Sequence, residues 1–279
     1  MCEFCTQHGD GRYWYLEASS YAADLSADLE RRGYLIDFIQ GFDTSAARSV
    51  KALELVGRTP RSFADYVRTR VSNHMKRDHF GQPLPLEDCE KVLDIATSVV
   101  QLPCVCRHFA KTPEEGYCLA ITTRPIDDLL TEAFRDFSSG PDTSRLQRLT
   151  KEEALGVLRR AEDEGMMHSV WTFKTPFIAG ICNCNLASGC MAMRMTMELG
   201  VKMMWRGEYV ASVEPGTCTG CRACVKHCPF EAISVDARTR RAFVRPEDCW
   251  GCGTCRASCR TSAISLSERR AVPAVAGVW

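Results

Sequence analysis

The hydrophobic and polar pattern of residues 1–102 predicts helices. The helix-forming runs end where glycine or proline follows: Tyr13–Arg32 before Gly33, Phe63–His79 before Gly81, and Glu87–Leu102 before Pro103. Glycine adopts the left-handed conformation that closes a helix, and proline lacks the N–H that would continue one. We therefore expect a mostly helical N-terminal region. His74 and His79 flank Lys76 and Arg77 in its second helix and should face solvent.

Residues 103–205 contain the strongest helix signal, followed by a β-hairpin. Thr150 and Glu153 have the spacing of a capping box, and apolar residues recur after them with helical spacing until Gly165. The two β-prone runs that follow are Met166–Phe173 and Phe177–Ile181. A helix followed by a hairpin resembles a winged-helix unit. Because a fold does not fix a function, we expect this winged-helix-like middle unit to be a scaffold for the cysteines beside it.

The last segment, residues 206–279, alternates short β-prone runs with cysteine-rich stretches. The runs are Tyr209–Val213, Ala232–Val235, Ala242–Arg245 and Ala263–Leu266. With the two preceding segments, this predicts an α+β protein of three parts, divided into residues 1–102, 103–205 and 206–279. A chain of 279 residues is long enough for such a division.

Composition and charge argue against a nucleic-acid partner. Charged residues make up 25% of the chain, and the formal net charge is zero. The most basic segment, residues 206–279, carries 11 Lys and Arg against 7 Asp and Glu, which is no strong basic patch. The predicted helix after Thr150 is acidic and would repel phosphates. No G-x-G-x-x-G and no G-x4-G-K-[ST] motif supports nucleotide binding.

The 17 cysteines bear on the cellular compartment in which the protein is expected to function. A secreted disulfide framework would need a signal peptide, and no apolar run follows the first residues. No stretch of roughly 18 apolar residues predicts a membrane span. We therefore expect a cytoplasmic protein of a reducing, low-oxygen cell. Cys89 is expected to be a small buried residue of its helix.

Eight of the cysteines form two copies of one motif, in which spacings of two, two and three residues separate four cysteines. The copies are Cys218, Cys221, Cys224 and Cys228, and Cys249, Cys252, Cys255 and Cys259. Three cysteines at this spacing can place thiolates on three iron corners of one cubane, and the fourth corner needs a ligand from elsewhere. All-cysteine zinc sites are the alternative, but they usually separate two Cys-x2-Cys pairs by a longer stretch. The crowding favours iron–sulfur clusters.

Residues 208–268 resemble the bacterial two-[4Fe-4S] ferredoxins. The resemblance implies a βαββαβ domain that passes single electrons between two clusters, with the fourth cysteine of each motif bound to the other cluster. The implied ligands are Cys218, Cys221, Cys224 and Cys259 for cluster one, and Cys249, Cys252, Cys255 and Cys228 for cluster two. Arg260 departs from the repeat, because the first copy has Pro229 after its last cysteine, but this removes no ligand.

The middle segment has a second group of cysteines in a different arrangement. They are Cys104, Cys106, Cys118, Cys182, Cys184 and Cys190. Two Cys-x-Cys pairs, each followed by a third cysteine, look like two halves of one site that folding brings together. We expect one or two additional [4Fe-4S] clusters here, with zinc or plain thiols as the alternatives. More loosely, the combination resembles a group of multi-cluster iron–sulfur proteins of anaerobes, and this likeness supports a metal site without naming a reaction.

The chain also opens with a Cys-x2-Cys pair. Cys2 and Cys5 are half of a metal site, and they need two further ligands from elsewhere; the alternative is a pair of exposed thiols. The sequence does not decide whether they join the middle site.

Two functions agree with these features. The first is an electron-transfer protein that passes electrons through two ferredoxin clusters and the additional ones to a partner oxidoreductase. The second is a reductase whose middle cluster is the active site and is fed by the ferredoxin domain, with Arg107, His108 and His168 as candidate acids or anion binders. The acidic helix argues against a third hypothesis, a redox-sensing regulator that binds DNA.

Overall fold

The computed structural model describes residues 12–22, 27–113, 116–123, 130, 133 and 146–279. Two 3₁₀ turns come first, at Trp14–Leu16 and Ala18–Tyr21. The helices are α1 Leu29–Gln40, α2 Phe42–Val56, α3 Arg61–Asp78, α4 Leu86–Ile95, α5 Val105–Ala110, α6 Lys151–Asp163, α7 Met191–Met193, α8 Ala223–His227 and α9 Thr254–Ala257. A π-helical turn, Arg194–Glu198, continues α7. No helix in the described ranges is long and apolar enough to cross a membrane.

Strands are interspersed with the helices, so the structure has the mixed content of the α+β class. They are β1 Gly81–Leu84, β2 Ser98–Leu102, β3 Cys118–Thr122, β4 Gln147–Leu149, β5 Met167–Thr172, β6 Ile178–Cys184, β7 Tyr209–Val213, β8 Ile233–Val235, β9 Ala242–Val244 and β10 Ile264–Glu268. The first six form one antiparallel sheet in the order β1-β5-β6-β3-β2-β4.

The six-stranded sheet combines strands from both sides of the domain boundary expected between residues 102 and 103. β1 and β2 precede that boundary and pair with β5 and β3, which follow it. The first two segments therefore share one sheet. The predicted helix and hairpin are present as α6, β5 and β6, and Thr150 and Glu153 form the predicted capping box. The hairpin strands lie inside the sheet, however, with β1 on one side and β3 on the other, so they are not the free wing of a winged-helix unit.

The prediction of one helix over Tyr13–Arg32 is wrong, because its described residues include the two 3₁₀ turns and α1 begins only at Leu29. Gly33 lies inside α1, which ends at Gly41 instead. A side chain at Gly33 would meet no atom within 4 Å, and the cost of about 1 kcal/mol for glycine in a helix is outweighed by burial of Leu35 and Ile39. The third predicted helix ends at Ile95, and the rest of its range becomes β2, because β-branched valines there pair with β3 and β4.

The C-terminal segment has the element order strand–helix–strand–strand–helix–strand from β7 to β10. β7 pairs with β10, and β8 pairs with β9, both antiparallel. The segment packs on the rest of the protein. The Gln82 side chain donates a hydrogen bond to the Arg206 carbonyl at 2.9 Å, and Arg256 forms an ion pair with Glu87 of α4.

Candidate iron–sulfur centres

One cavity of the C-terminal segment is lined by the four cysteines expected to bind cluster one. Its volume is about 320 Å³, and its cysteines are Cys218, Cys221, Cys224 and Cys259. Cys218 and Cys221 lie on the loop before α8, Cys224 lies in α8, and Cys259 follows α9. Folding thus brings the last cysteine of the second motif to the first three of the first motif.

A second cavity, of about 310 Å³, is lined by the four cysteines expected to bind cluster two. They are Cys228, Cys249, Cys252 and Cys255. Each cavity is thus lined by one complete set of the expected ligands and by no cysteine of the other set. Within the described ranges, no three His, Cys, Asp or Glu side chains converge on a point that one ion would occupy. The cysteines surround a volume instead, as ligands on separate corners of a cubane do.

Backbone N–H groups donate to the cysteine sulfurs with the symmetry of the sequence repeat. Ala242 donates to Cys218 at 3.4 Å, and Ala211 donates to Cys249 at 3.4 Å. The last cysteines of the two motifs accept in the same way, Cys228 from Ala232 at 3.3 Å and Cys259 from Ala263 at 3.2 Å. Such N–H donors stabilise negative charge on sulfur and help to set the potential of an iron–sulfur cluster. The donor set therefore suits thiolate ligands.

The two sites differ in exposure. Cys221 of the cluster-one site is exposed, whereas Cys249, Cys252 and Cys255 of the cluster-two site are all buried. Burial raises the pKa of Cys252 to about 12. A buried group of this kind becomes a thiolate only when positive charge, such as bound iron, is close to it.

Two arginines place positive charge beside the cluster-two site. Arg269 is fully buried and donates to the carbonyl oxygens of Cys249 at 2.7 Å and Gly207 at 2.8 Å. Burial lowers the pKa of its guanidinium to about 10. Arg206 donates to the same Cys249 carbonyl at 3.3 Å and lies 5.1 Å from the ring of Trp250.

All six cysteines of the middle segment line one large cavity of about 1060 Å³. Cys104 and Cys106 lie at the start of α5, Cys118 begins β3, and Cys190 precedes α7. Cys182 and Cys184 are both on β6. Because side chains alternate along a strand, a Cys-x-Cys pair on β6 presents both sulfurs on one face.

Side-chain hydrogen bonds link four of the six thiols to one another and the other two to each other, and electrostatic interactions also join Cys184 to Cys182 and Cys104. Hydrogen bonds from Cys106 and Cys118 lower the pKa of Cys104 well below its usual value, and Cys118 also interacts with Cys182. Cys184 is hydrogen-bonded to Cys190, and this bond and burial raise its pKa. The four linked thiols equal the number of ligands that one cubane takes.

The expectation that His79 faces solvent is wrong. Its side chain is buried, it lines the six-cysteine cavity, and its ring stacks on Trp171 at 4.9 Å. The ring nitrogen Nδ1 donates to the Thr172 carbonyl at 2.6 Å. Burial lowers the pKa of the imidazole to about 4, so it is neutral near pH 7. His74 does remain at the surface, where it pairs with Asp78.

The three candidate acids and anion binders do not line this cavity. His108 lies 3.8 Å from Asp43, and Arg107 is buried with its guanidinium 5.2 Å from the Tyr117 ring. His168 bonds through Nδ1 to Asn183 at 2.6 Å. Asn183 stands between Cys182 and Cys184 on β6, so this pair occupies the opposite face of the sheet.

Sequence reasoning also missed the apolar walls of the cavity, to which Trp171 and Met203 contribute. A signal for Trp171 was present. Ser169 of β5 pairs with Cys182 of β6, and Trp171 lies two residues farther along β5. Because side chains two residues apart on a strand share a face, Trp171 lies on the face of the sheet that carries Cys182. Cys89 is buried, as expected, and lies outside the cavity. Cys2 and Cys5 lie outside the described residues.

Residues 217–263 match the model of a known family, the 4Fe-4S dicluster domain. The match covers less than half of the chain, and it contains all eight cysteines of the two C-terminal cavities. Curated proteins give no match to this chain. The family match and the cysteines around it support 4Fe-4S binding and iron–sulfur electron transfer in this segment.

Proposed function

We propose that this protein is an electron-transfer protein with three iron–sulfur sites, which delivers single electrons to a partner oxidoreductase. The C-terminal segment holds two [4Fe-4S] clusters in the ligand sets that line its two cavities. The third site is the six-cysteine cavity, where Cys104, Cys106, Cys118 and Cys182 are the ligands of one further cluster. Bound clusters of this kind supply one-electron redox chemistry over a wide range of potentials.

The observation that carries this proposal is the apolar packing between the cluster-two site and the six-cysteine cavity. One continuous group of packed side chains contains Cys228 and Cys252 of the former and Cys184 and Cys190 of the latter. Phe230 and Trp250, which line the cluster-two cavity, belong to the same group. The cluster-one cysteines do not belong to this group, so cluster two is the neighbour from which the middle site would receive electrons.

The cluster-one site offers the surface where electrons are exchanged with a partner. Cys221 and Arg222 line its cavity and are exposed. Three exposed basic residues adjoin this cavity: Arg222, Arg260, which follows Cys259, and Arg240, whose backbone carbonyl lies against Gly220. Negative charge on a partner protein would steer that partner towards this basic edge. The partner that fits best is therefore a redox protein with an acidic face.

A reductase is the second candidate function, and the size of the middle cavity favours it. Six cysteines are two more than one cubane takes, and the cavity is more than three times as large as either C-terminal cavity. In that case the third cluster would act on a substrate held beside it.

The proposal is tested by a redox titration of protein purified without oxygen, followed by electron paramagnetic resonance. We expect a third reducible signal in the wild type that is absent from a Cys104→Ala, Cys182→Ala variant. Cys89→Ala is the matched control, because Cys89 is buried outside the cavity, and it should keep all three signals. Only two signals in the wild type would overturn the third site.

A further inference from the structure

The six-cysteine cavity has room for more than a cluster. Each C-terminal cavity, with one complete ligand set, measures about 310 or 320 Å³, and the middle cavity measures about 1060 Å³. The C-terminal cavities show how much space four cysteines around one cubane leave in this protein. The middle cavity is thus more than three times as large as the space that four cysteines line in either C-terminal cavity.

The walls of this additional space are aromatic and aliphatic. Phe38 lies on α1, Phe42 on α2 and Trp171 on β5. Phe173 directly follows β5. The ring centroid of Phe38 lies 5.5 Å from that of Phe42 and 5.5 Å from that of Phe173. No Asp, Glu, Lys or Arg of the described chain is among the lining residues. A charged ligand would lose its hydration without gaining a partner, so the occupant is uncharged.

One polar group of the wall is available to orient a ligand. His79 packs among Phe38, Trp171 and Phe173, with ring centroids 4.4 to 4.9 Å apart. Its Nδ1 carries the proton, because the Thr172 carbonyl to which it bonds can only accept. The other ring nitrogen, Nε2, is then a hydrogen-bond acceptor. Trp171, the other polar ring here, already donates its N–H to the Ser169 hydroxyl at 2.9 Å.

We propose that this part of the cavity binds a small, uncharged aromatic molecule that donates one hydrogen bond, from a hydroxyl or an amine, to Nε2 of His79. The aromatic walls hold the ring of the ligand by apolar burial, and His79 fixes its orientation. The inference rests on the proposed function for the cysteine side of the cavity, where the cluster lies. It adds a ligand site to that cluster and names the class of molecule that the site takes.

The test compares two probes of nearly equal size, 1-naphthol and naphthalene, by calorimetric titration of the protein purified without oxygen. Only 1-naphthol has a hydroxyl to donate. We expect 1-naphthol to bind the wild type about three- to tenfold more tightly than naphthalene, as one hydrogen bond allows. In a His79→Phe variant, which keeps an aromatic ring in place, the two probes should bind equally. Equal binding of both probes to the wild type would overturn the role of His79.

A second variant tests the cavity itself and does not alter His79. Ala179 is a small buried residue of the wall, and Ala179→Phe fills space there. We expect this variant to lose at least tenfold in affinity for both probes and to keep the iron content of the wild type. Unchanged affinity in Ala179→Phe, or no binding of either probe to wild-type protein, would overturn the ligand site. Iron content is measured on the same samples, so a missing third cluster is recognised separately from a missing ligand site.

Discussion

The rings of Phe230 and Trp250 stack with their centroids 4.8 Å apart and their planes 9° apart. Trp250 directly follows Cys249, and Phe230 comes two residues after Cys228, so the stack joins two loops that carry ligands of the cluster-two site. At the same positions of the other motif, the repeat has Thr219 and Thr261. Each copy therefore contributes one aromatic ring, and both rings lie at the cluster-two site, which packs against the middle of the protein.

Removing this stack should loosen cluster two and leave cluster one in place. Truncation of a buried aromatic ring costs about 3 kcal/mol or more, and here the lost packing lies beside the ligand loops. We expect Trp250→Leu to lose about four irons per chain during mild exposure to a chelator. Thr219→Val is the matched control at the repeat position. Equal iron loss from both variants would show that the stack has no special role.

Arg269 should raise the reduction potential of cluster two. Its buried positive charge is held against the Cys249 carbonyl and favours the more negative, reduced cluster. We expect Arg269→Met to lower that potential by on the order of 50 mV, and Arg269→Lys to lower it less. The control is Arg270→Gln, because Arg270 is exposed and pairs with Glu268. A redox titration followed by electron paramagnetic resonance decides the matter, and identical potentials in all variants would contradict the assignment.

The basic edge of the cluster-one site should select reductants by charge. Dithionite is an anion and reduced methyl viologen is a cation, so reversing positive charge there should slow the first and speed the second. We expect this opposite response for Arg222→Glu combined with Arg240→Glu in stopped-flow reduction, and it should weaken at high salt. Lys51→Glu, at an exposed position of α2, is the control outside this segment. A change of the same sign for both reductants would argue against electrostatic steering.

His79 should make the folded protein less stable in mild acid. Burial lowers its pKa from the ordinary 6.5 to about 4, and the neighbouring Asp78 opposes this shift only in part. Between these two values the unfolded chain binds the proton and the folded chain does not, so stability falls as the pH falls. At pH 5.5 the loss is about 1 kcal/mol, or roughly 2–4 °C in melting temperature.

The measurement is the melting temperature of wild-type protein and the His79→Phe variant, purified without oxygen, at pH 7.5 and pH 5.5. We expect the wild type to lose about 2–4 °C more than the variant between the two values, because only the wild type has this titrating group. If the melting temperatures of the wild type and the variant fell by the same amount, the imidazole would be protonated or solvated in the folded state.

The ligand residues could be predicted from the sequence to a greater extent than the shape of the cavity around them. The spacing of the cysteines reflects local geometry. The resemblance to two-cluster ferredoxins implied the exchange of Cys228 and Cys259, and each of them lines the cavity of the other motif. Pairing between distant strands has no such local signal. Residues 98–102 follow a helix and have the same apolar character as its end, so only their pairing with β3 and β4 makes them a strand.

His79 illustrates the same limit within the site. Its charged neighbours in the sequence, Lys76 and Arg77, are typical of a solvated helix, but His79 lies at the end of α3, where the chain turns towards β1. The ring is buried because Phe38, from α1, and Trp171 and Phe173, from the end of β5, surround it. Contacts of that separation are set by the tertiary fold.

The third iron–sulfur site is tested most directly by the iron and sulfide content of protein purified without oxygen. The comparison is between wild type and a Cys182→Ala, Cys184→Ala variant, with Cys89→Ala as the control. We expect about twelve irons per chain in the wild type and in the control, and about eight in the double variant. About eight irons in all three proteins would mean that only the two C-terminal clusters are present, and it would contradict a cluster at the six cysteines.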